Sequence, residues 1–199
     1  MSISPASTFS VALPKDLSND FSASIKDEKI FMRPVLNSDL KKCIKLYGDP
    51  KVTSLYEDGT PKSEEAVAKI INDACTQRLK NPSPFGLYSV FKNEDGKFIG
   101  QADFFYDDQH LGEIEIGYIL RKKFQGQGLG TIIGDALKKY AYVLIENGFS
   151  TQTHPIKSLV ATAHPNNIAS WKILEKLGLF FTHDITKFDA PRKCYKLDL

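Results

Sequence analysis

The spacing of apolar residues divides the chain before any other property is considered. Residues 1–26 are rich in Ser, Ala, Asp and Pro and show no sustained period. They read as an N-terminal arm, extended or mobile, in which Phe9, Val11 and Leu13 can dock on the body or on a partner. From residue 27 the pattern tightens, and 27–199 reads as one domain. Ile30-Phe31-Met32-Arg33 is a short strand stopped by Pro34. Leu40, Cys43, Ile44 and Tyr47 then recur at helical spacing behind Ser38, the expected N-cap, until Gly48-Asp49-Pro50 ends the run. A second helix is predicted over 63–79. Glu64 and Glu65 sit in its first turn and Arg78 and Lys80 near its end, where each charge favours the helix dipole.

Asn81-Pro82-Ser83-Pro84 breaks that helix. Residues 85–91 and 97–105 form two strands joined through Asn93-Glu94-Asp95-Gly96, and the alternating run 113–120 is a third. A long helix covers 128–146, with Ile132, Ile133, Ala136, Leu137, Tyr140 and Ala141 on its apolar side. Residues 158–163 are a buried strand, 168–177 a helix stopped by Gly178, and 179–182 and 193–199 two closing strands. Strands grouped early, followed by β-α-β-α-β, predict an α/β (α+β) fold: a mixed sheet with helices packed on its faces.

Composition narrows the class without naming an activity. The 199 residues are 42% hydrophobic and 25% charged, which excludes bulk disorder and collagen-like structure. The 26 Lys+Arg against 24 Asp+Glu leave +2, so no general attraction for nucleic acid or membrane is expected. No apolar run approaches the roughly 20 residues of a membrane helix, and the N-terminus lacks the basic and apolar regions of a secretory signal. Cys43, Cys75 and Cys194 are odd in number and scattered, which suits free thiols in a reducing, cytoplasmic setting. His110, His154, His164 and His183 lack metal-ligand spacing, so no metal is expected.

The chemistry concentrates at Arg121-Lys122-Lys123-Phe124-Gln125-Gly126-Gln127-Gly128-Leu129-Gly130-Thr131, between a predicted strand and a predicted long helix. Glycines there let the backbone approach a ligand, and free N–H groups at a helix start favour phosphate. The dinucleotide fingerprint fails, because Thr131 stands where its third Gly belongs, and the nucleotide P-loop spacing is missing too. Gln125-x-x-Gly128-x-Gly130 instead matches the Q/R-x-x-G-x-G/A loop of the GCN5-related N-acetyltransferase (GNAT) family. Glu115-Ile116-Gly117-Tyr118-Ile119-Leu120 resembles that family's fourth strand. The stretch His164-Pro165-Asn166-Asn167-Ile168-Ala169-Ser170-Trp171-Lys172-Ile173-Leu174-Glu175-Lys176-Leu177-Gly178 resembles its P-x-N-x-x-S-x-x-x-L-E-K-L-G segment. That form is similar to the branch containing the ribosomal-protein N-terminal-alanine acetyltransferases. Arg33-Pro34, Ser38-Asp39-Leu40 and Phe98-Ile99-Gly100 fit the same branch, and the resemblance runs over 27–199.

The resemblance implies a mostly antiparallel sheet with helices on both faces and a V-shaped split between the fourth and fifth strands, where acetyl-CoA lies. Its pyrophosphate would meet Gln125, Gly126, Gln127, Gly128, Leu129, Gly130 and Thr131, and its pantetheine arm would pair with Tyr118, Ile119 and Leu120. Asn167 would bond the same arm, and it is equally suited to cap the last helix. The implied activity is direct attack of a primary amine, a protein N-terminus or a small molecule, on the thioester in a ternary complex. An alkylammonium of pKa about 10 must first lose a proton. Glu115 matches the family's strand-four base, with Glu113 as its substitute two residues away. Leu174 stands where many members carry a Tyr donor for the leaving thiolate, which leaves Ser170 as the candidate, unless its hydroxyl bonds its own helix backbone. The missing Tyr keeps a second reading open: an acyl-CoA-binding module of the same fold with little or no turnover. Acceptor choice would lie in 49–61, with the helix after it, and in 107–111, where Tyr56, Glu57, Asp58, Asp107 and Asp108 are either solvated loop residues or a site for a cationic amine. The implied partners are acetyl-CoA and the amine, with no nucleic acid and no membrane, and with room for a homodimer.

Overall fold

The computed structural model describes residues 9–13, 23–106, 111–151 and 154–199. Its strands are β1 (Ser10–Ala12), β2 (Ser24–Lys26), β3 (Ile30–Pro34), β4 (Gly86–Lys92), β5 (Phe98–Tyr106), β6 (Glu113–Leu120), β7 (Ser150–Thr151), β8 (His154–Pro155), β9 (Ser158–Ala163), β10 (Phe180–Lys187) and β11 (Ala190–Asp198). The α-helices are α1 (Leu40–Tyr47), α2 (Pro50–Thr53), α3 (Glu64–Lys80), α4 (Leu129–Glu146) and α5 (Ile168–Lys176). Nine strands form one sheet in the order β1-β2-β3-β4-β5-β6-β9-β11-β10, and β7 pairs with β8 apart from it. Every neighbouring pair in the large sheet is antiparallel except β6 with β9.

Two apolar clusters cover the two faces. One joins Ile114 and Ile116 of β6 to Leu129, Ile133, Leu137, Tyr140 and Leu144 of α4 and to Leu174 of α5. The other joins Leu87, Phe98 and Ile119 to Cys43 and Leu46 of α1 and to Val67, Ile71 and Cys75 of α3. Each helix presents apolar residues at three- and four-residue spacing, and the sheet sends alternate residues to each side, so both faces are covered. Phe9, Val11 and Leu13 pack against the first cluster, and β2 pairs with β3.

Several local expectations need correction. Ser38 is not an N-cap: Asn37–Asp39 form a 3-10 turn, and the Leu36 N–H donates to Asp39 Oδ2 at 3.2 Å. Pro50 does not simply end a run. It opens α2, whose cap Asp49 accepts from the Lys51 N–H at 2.9 Å. The two closing strands extend well past 179–182 and 193–199 and meet in a two-residue turn at Phe188 and Asp189, with φ of 59° and 53°. That turn has no glycine and β10 is mostly exposed, so neither the usual turn signal nor an apolar alternation marks it.

The β6–β9 ladder positions the site. It covers only Glu113↔Ser158, Ile114↔Leu159 and Glu115↔Val160. Beyond those pairs, β6 is held by β5 as far as Leu120 and β9 by β11 as far as Ala163, but the two strands no longer pair with each other. The backbone of Tyr118, Ile119 and Leu120 therefore has no strand partner on the β9 side. This is where the resemblance puts its opening.

Candidate active site

The first cavity forms where β6 runs into the glycine-rich turn. Tyr118, Ile119, Leu120, Gln125, Gly126, Gly128, Gly130, Asn167 and Ser170 all line it, together with Lys51, Val52, Ser54, Leu55 and Tyr56. Gly126 and Gly128 adopt φ of 74° and 75°, and Gly128 caps α4 from this left-handed conformation. A Cβ at either would meet nothing within 4 Å, so conformation, not crowding, calls for glycine at these two positions. Gly130 differs. A Cβ there would lie 3.1 Å from the Tyr118 ring and 3.1 Å from Ile173, so its absence lets Tyr118 pack over the first turn of α4. The turn is braced from within: Gln125 Nε2 donates to the Leu120 carbonyl at 3.0 Å, and Gln127 Nε2 to that of Lys123 at 2.7 Å. The Leu129 and Gly130 N–H groups have no partner inside the helix and, with its dipole, form a phosphate-binding end, whereas the Thr131 N–H already donates to the Gly128 carbonyl at 3.1 Å.

On the far wall, Asn167 caps α5 by accepting the Ser170 N–H on Oδ1 at 3.2 Å. The cap uses the oxygen and not the Nδ2 donors, so it does not compete with bonding a ligand. The Tyr118 hydroxyl is buried beside the Ser170 side chain without a well-formed hydrogen bond. Burial pushes the Tyr118 phenol up to about 12, partly offset by Ser170.

The second cavity, of about 310 Å³, opens on the α1/α3 side of β6. Tyr47, Tyr56, Phe105 and Phe188 supply apolar wall, while Glu57, Asp103, Glu115, Lys62, Lys187 and Arg192 bring three charges of each sign. Lys187, carried in by the β10–β11 turn, holds Glu115 through both carboxylate oxygens at 2.6 and 2.7 Å. Lys62 holds Glu57 at 2.5 Å. Arg192 is spent on the carbonyls of Leu55 and Glu57, tying that loop down. Asp103 alone of the three acids has no ion pair among the described residues; Tyr56 Oη donates to its Oδ2 at 3.5 Å. Burial, then the nearby Glu57 and Glu115 charges, push the Asp103 carboxyl up to about 7, with Tyr56 and Lys187 offsetting part of the rise. Tyr56 lines both cavities and forms the wall between them.

The residues singled out from the sequence thus fall into three groups. Ten line the first cavity: the nine above and Tyr56, which with Glu57 also lines the second. Gln127, Leu129 and Thr131 do not; the Leu129 side chain lies in the core, so any ligand contact from it would be through its backbone. Glu115 lines the second cavity, whereas Glu113 is paired with Lys196 at 2.7 Å and lines neither. Asp58 is exposed and caps its own turn through the Thr60 N–H, outside the cavity. Asp107 and Asp108 lie outside the described residues. Asp103, Lys187 and Arg192 were not singled out. For Asp103 the available signal was the one carboxylate in a strand whose only other polar side chain before Tyr106 is Gln101, set opposite Gly117.

Comparison with known proteins gives a consistent result. The family model described as "Acetyltransferase (GNAT) domain" matches residues 29–179, about three quarters of the chain. A curated relative, the uncharacterized protein YkkB of Bacillus subtilis (strain 168), is 23% identical over 152 residues, covering 76% of this chain and 81% of that one. A GNAT-family acetyltransferase from Bacillus anthracis superposes with a TM-score of 0.69 at 18% identity, covering 88% of this chain and 98% of that one. RimL, a ribosomal L7/L12 alpha-N-protein acetyltransferase solved in complex with coenzyme A, gives 0.68 at 15% identity, covering 86% and 95%. At these identities the structural likeness speaks for the fold.

Proposed function

The chain belongs to the GNAT acetyltransferase family, and from that premise we propose that it moves an acetyl group from acetyl-CoA to a primary amine by direct attack in a ternary complex. The observation that carries this reading is the meeting of two unlike cavities at Tyr56. One is built from a glycine-rich turn and an unpaired strand edge, the other from carboxylates and aromatic rings. The first suits a diphosphate and an amide-bearing arm. The second suits an ammonium group, whose charge the acids attract and whose carbon neighbours the rings accept. Either a protein N-terminus or a small amine fits. The acceptor cavity continues past Leu87, Phe105 and Glu115 toward Arg78, Asn81 and Ser83, so a longer acceptor has somewhere to lie.

The reaction needs a proton removed from the ammonium and stabilisation of the departing thiolate. Glu115 is the carboxylate that receives the ammonium from the β6 side. Ser170, across the first cavity, donates a hydrogen bond to the developing sulfur charge, with no full proton transfer required. Thiol release from acetyl-CoA, followed with a broad panel of amines, tests the reading. It should depend on amine and show intersecting initial-rate patterns. Ser170→Ala should bind acetyl-CoA normally and turn over about 10- to 100-fold more slowly. Acetyl-CoA binding with no amine-dependent release would leave only a binding module.

A further inference from the structure

Of the two acids that the neighbouring strands β5 and β6 bring to the acceptor cavity, one is already committed. Both oxygens of Glu115 are engaged by the Lys187 ammonium. Asp103 is placed differently. It lies on β5 directly opposite Gly117 of β6, and a Cβ at Gly117 would come within 3.0 Å of Asp103 Oδ2. The glycine leaves the volume that the carboxylate fills. Tyr56, which separates the two cavities, reaches the same oxygen, so Asp103 sits on the acceptor side of the wall that the thioester would approach. The ionisable groups around it are Tyr47 from α1, Tyr56, Glu57 and Lys62 from the loop after α2, Glu115 from β6, Lys187 from β10 and Arg192 from β11. The three cations are already bound to Glu57, Glu115 and main-chain carbonyls.

Resting on the acetyl-transfer reading above, we propose that Asp103 is the catalytic residue that takes the proton from the acceptor ammonium, while Glu115, fixed in position by Lys187, supplies negative charge beside it. The ammonium gives one proton to an Asp103 carboxylate oxygen. The neutral amine nitrogen attacks the thioester carbon, forming the C–N bond as the C–S bond breaks, and CoA leaves with the electron pair as thiolate. The second nitrogen proton neutralises the thiolate, and Asp103 returns its own to water. A carboxyl raised to about 7 is suited to this, because an ordinary one would be a far weaker base at neutral pH.

The test compares pH–rate profiles of the wild-type chain, Asp103→Asn and Glu115→Gln with an amine of pKa near 10 found in the panel, alongside acetyl-CoA titration calorimetry. Wild type should show a kcat/KM limb rising through about pH 7. Asp103→Asn should lose that limb and about 10²- to 10⁴-fold in kcat, keep its acetyl-CoA affinity, and recover rate as pH approaches the amine's own pKa. A weakly basic amine, already neutral at pH 7, should flatten the wild-type limb and restore most of the variant's rate. A merely structural role for Asp103 would produce neither rescue. If the wild type transfers acetyl groups while Asp103→Asn keeps both limb and rate, the proposal fails alone. If Glu115→Gln loses the limb instead, the proton belongs to Glu115. If the wild type releases no thiol with any amine, the acetyl-transfer reading fails and takes this proposal with it.

Discussion

Asp39 and Asp103 lie on the same side of the same sheet, and their surroundings drive them in opposite directions. Asp39 has no exposure, yet it accepts from both terminal nitrogens of Arg33 at 2.7 and 3.0 Å, from Lys42 at 3.0 Å, from Ser89 at 2.9 Å and from the Leu36 N–H. Burial alone would raise its carboxyl. The two cations and the donors outweigh that and hold it at about 2. Asp103 also pays for burial, but Glu57 and Glu115 outweigh the nearby Lys187, and its donor among the described residues is a long bond from Tyr56, so it stands at about 7. The first arrangement fixes the β3–α1 corner; the second leaves a carboxyl able to gain and lose a proton near neutrality. Residue type and depth do not separate a structural acid from a reactive one; the company it keeps does.

Breaking the structural member of the pair should have the largest effect. Asp39→Asn leaves Arg33 and Lys42 without their anion; both cations reach solvent, so the cost should fall below that of a fully buried pair, at about 2–3 kcal/mol. Chemical denaturation should show that loss while acetyl-CoA affinity per folded molecule stays unchanged. A loss below about 1 kcal/mol would mean the cluster is not what anchors α1.

The pH dependence of stability should then carry opposite signs at the two sites. The Asp39 carboxyl is depressed on folding, so its contribution is present above the ordinary value of 3.8 and fades as pH falls toward about 2. The Asp103 carboxyl is raised, so its charge opposes folding fully above about pH 7, and the penalty disappears as pH falls toward 3.8. Asp103→Asn should therefore gain stability at pH 8, on the order of 1 kcal/mol after allowance for its partial exposure, and nothing at pH 4. Denaturation midpoints at the two pH values read this directly.

The smallest effect is expected at Lys187, whose ion pair with Glu115 is about one third exposed on both sides. Lys187→Met should cost less than about 1 kcal/mol. By removing a cation that favours ionised Asp103, it should move the rising limb of the pH–rate profile to higher pH. A limb that stays in place would uncouple Lys187 from Asp103.

The sequence was most legible where structure is local. Alternation alone delimits β6, and the apolar run delimits β9, at the ends the structure gives them. The glycine-rich turn was legible because a helix-start phosphate loop is written in consecutive residues. The acceptor cavity was not, since its walls come from residues 47, 56–62, 103–105, 115–117 and 187–192. Asp103 gains its character from strand register opposite Gly117 and from three cations being bound to other groups, neither of which leaves a spacing in the sequence. Lys187 depended on the glycine-free turn at Phe188 and Asp189, which went unread along with the outer half of the last hairpin.

The measurement that bears most directly on the account is a crystal structure of the chain with CoA bound. The account predicts the diphosphate against the N–H groups of the 125–131 turn and the pantetheine arm along the unpaired edge of Tyr118, Ile119 and Leu120. The sulfur should then end beside Tyr56, at the junction with the cavity that holds Asp103. A sulfur ending on the opposite side of the sheet from Asp103, or a diphosphate bound away from that turn, would contradict it.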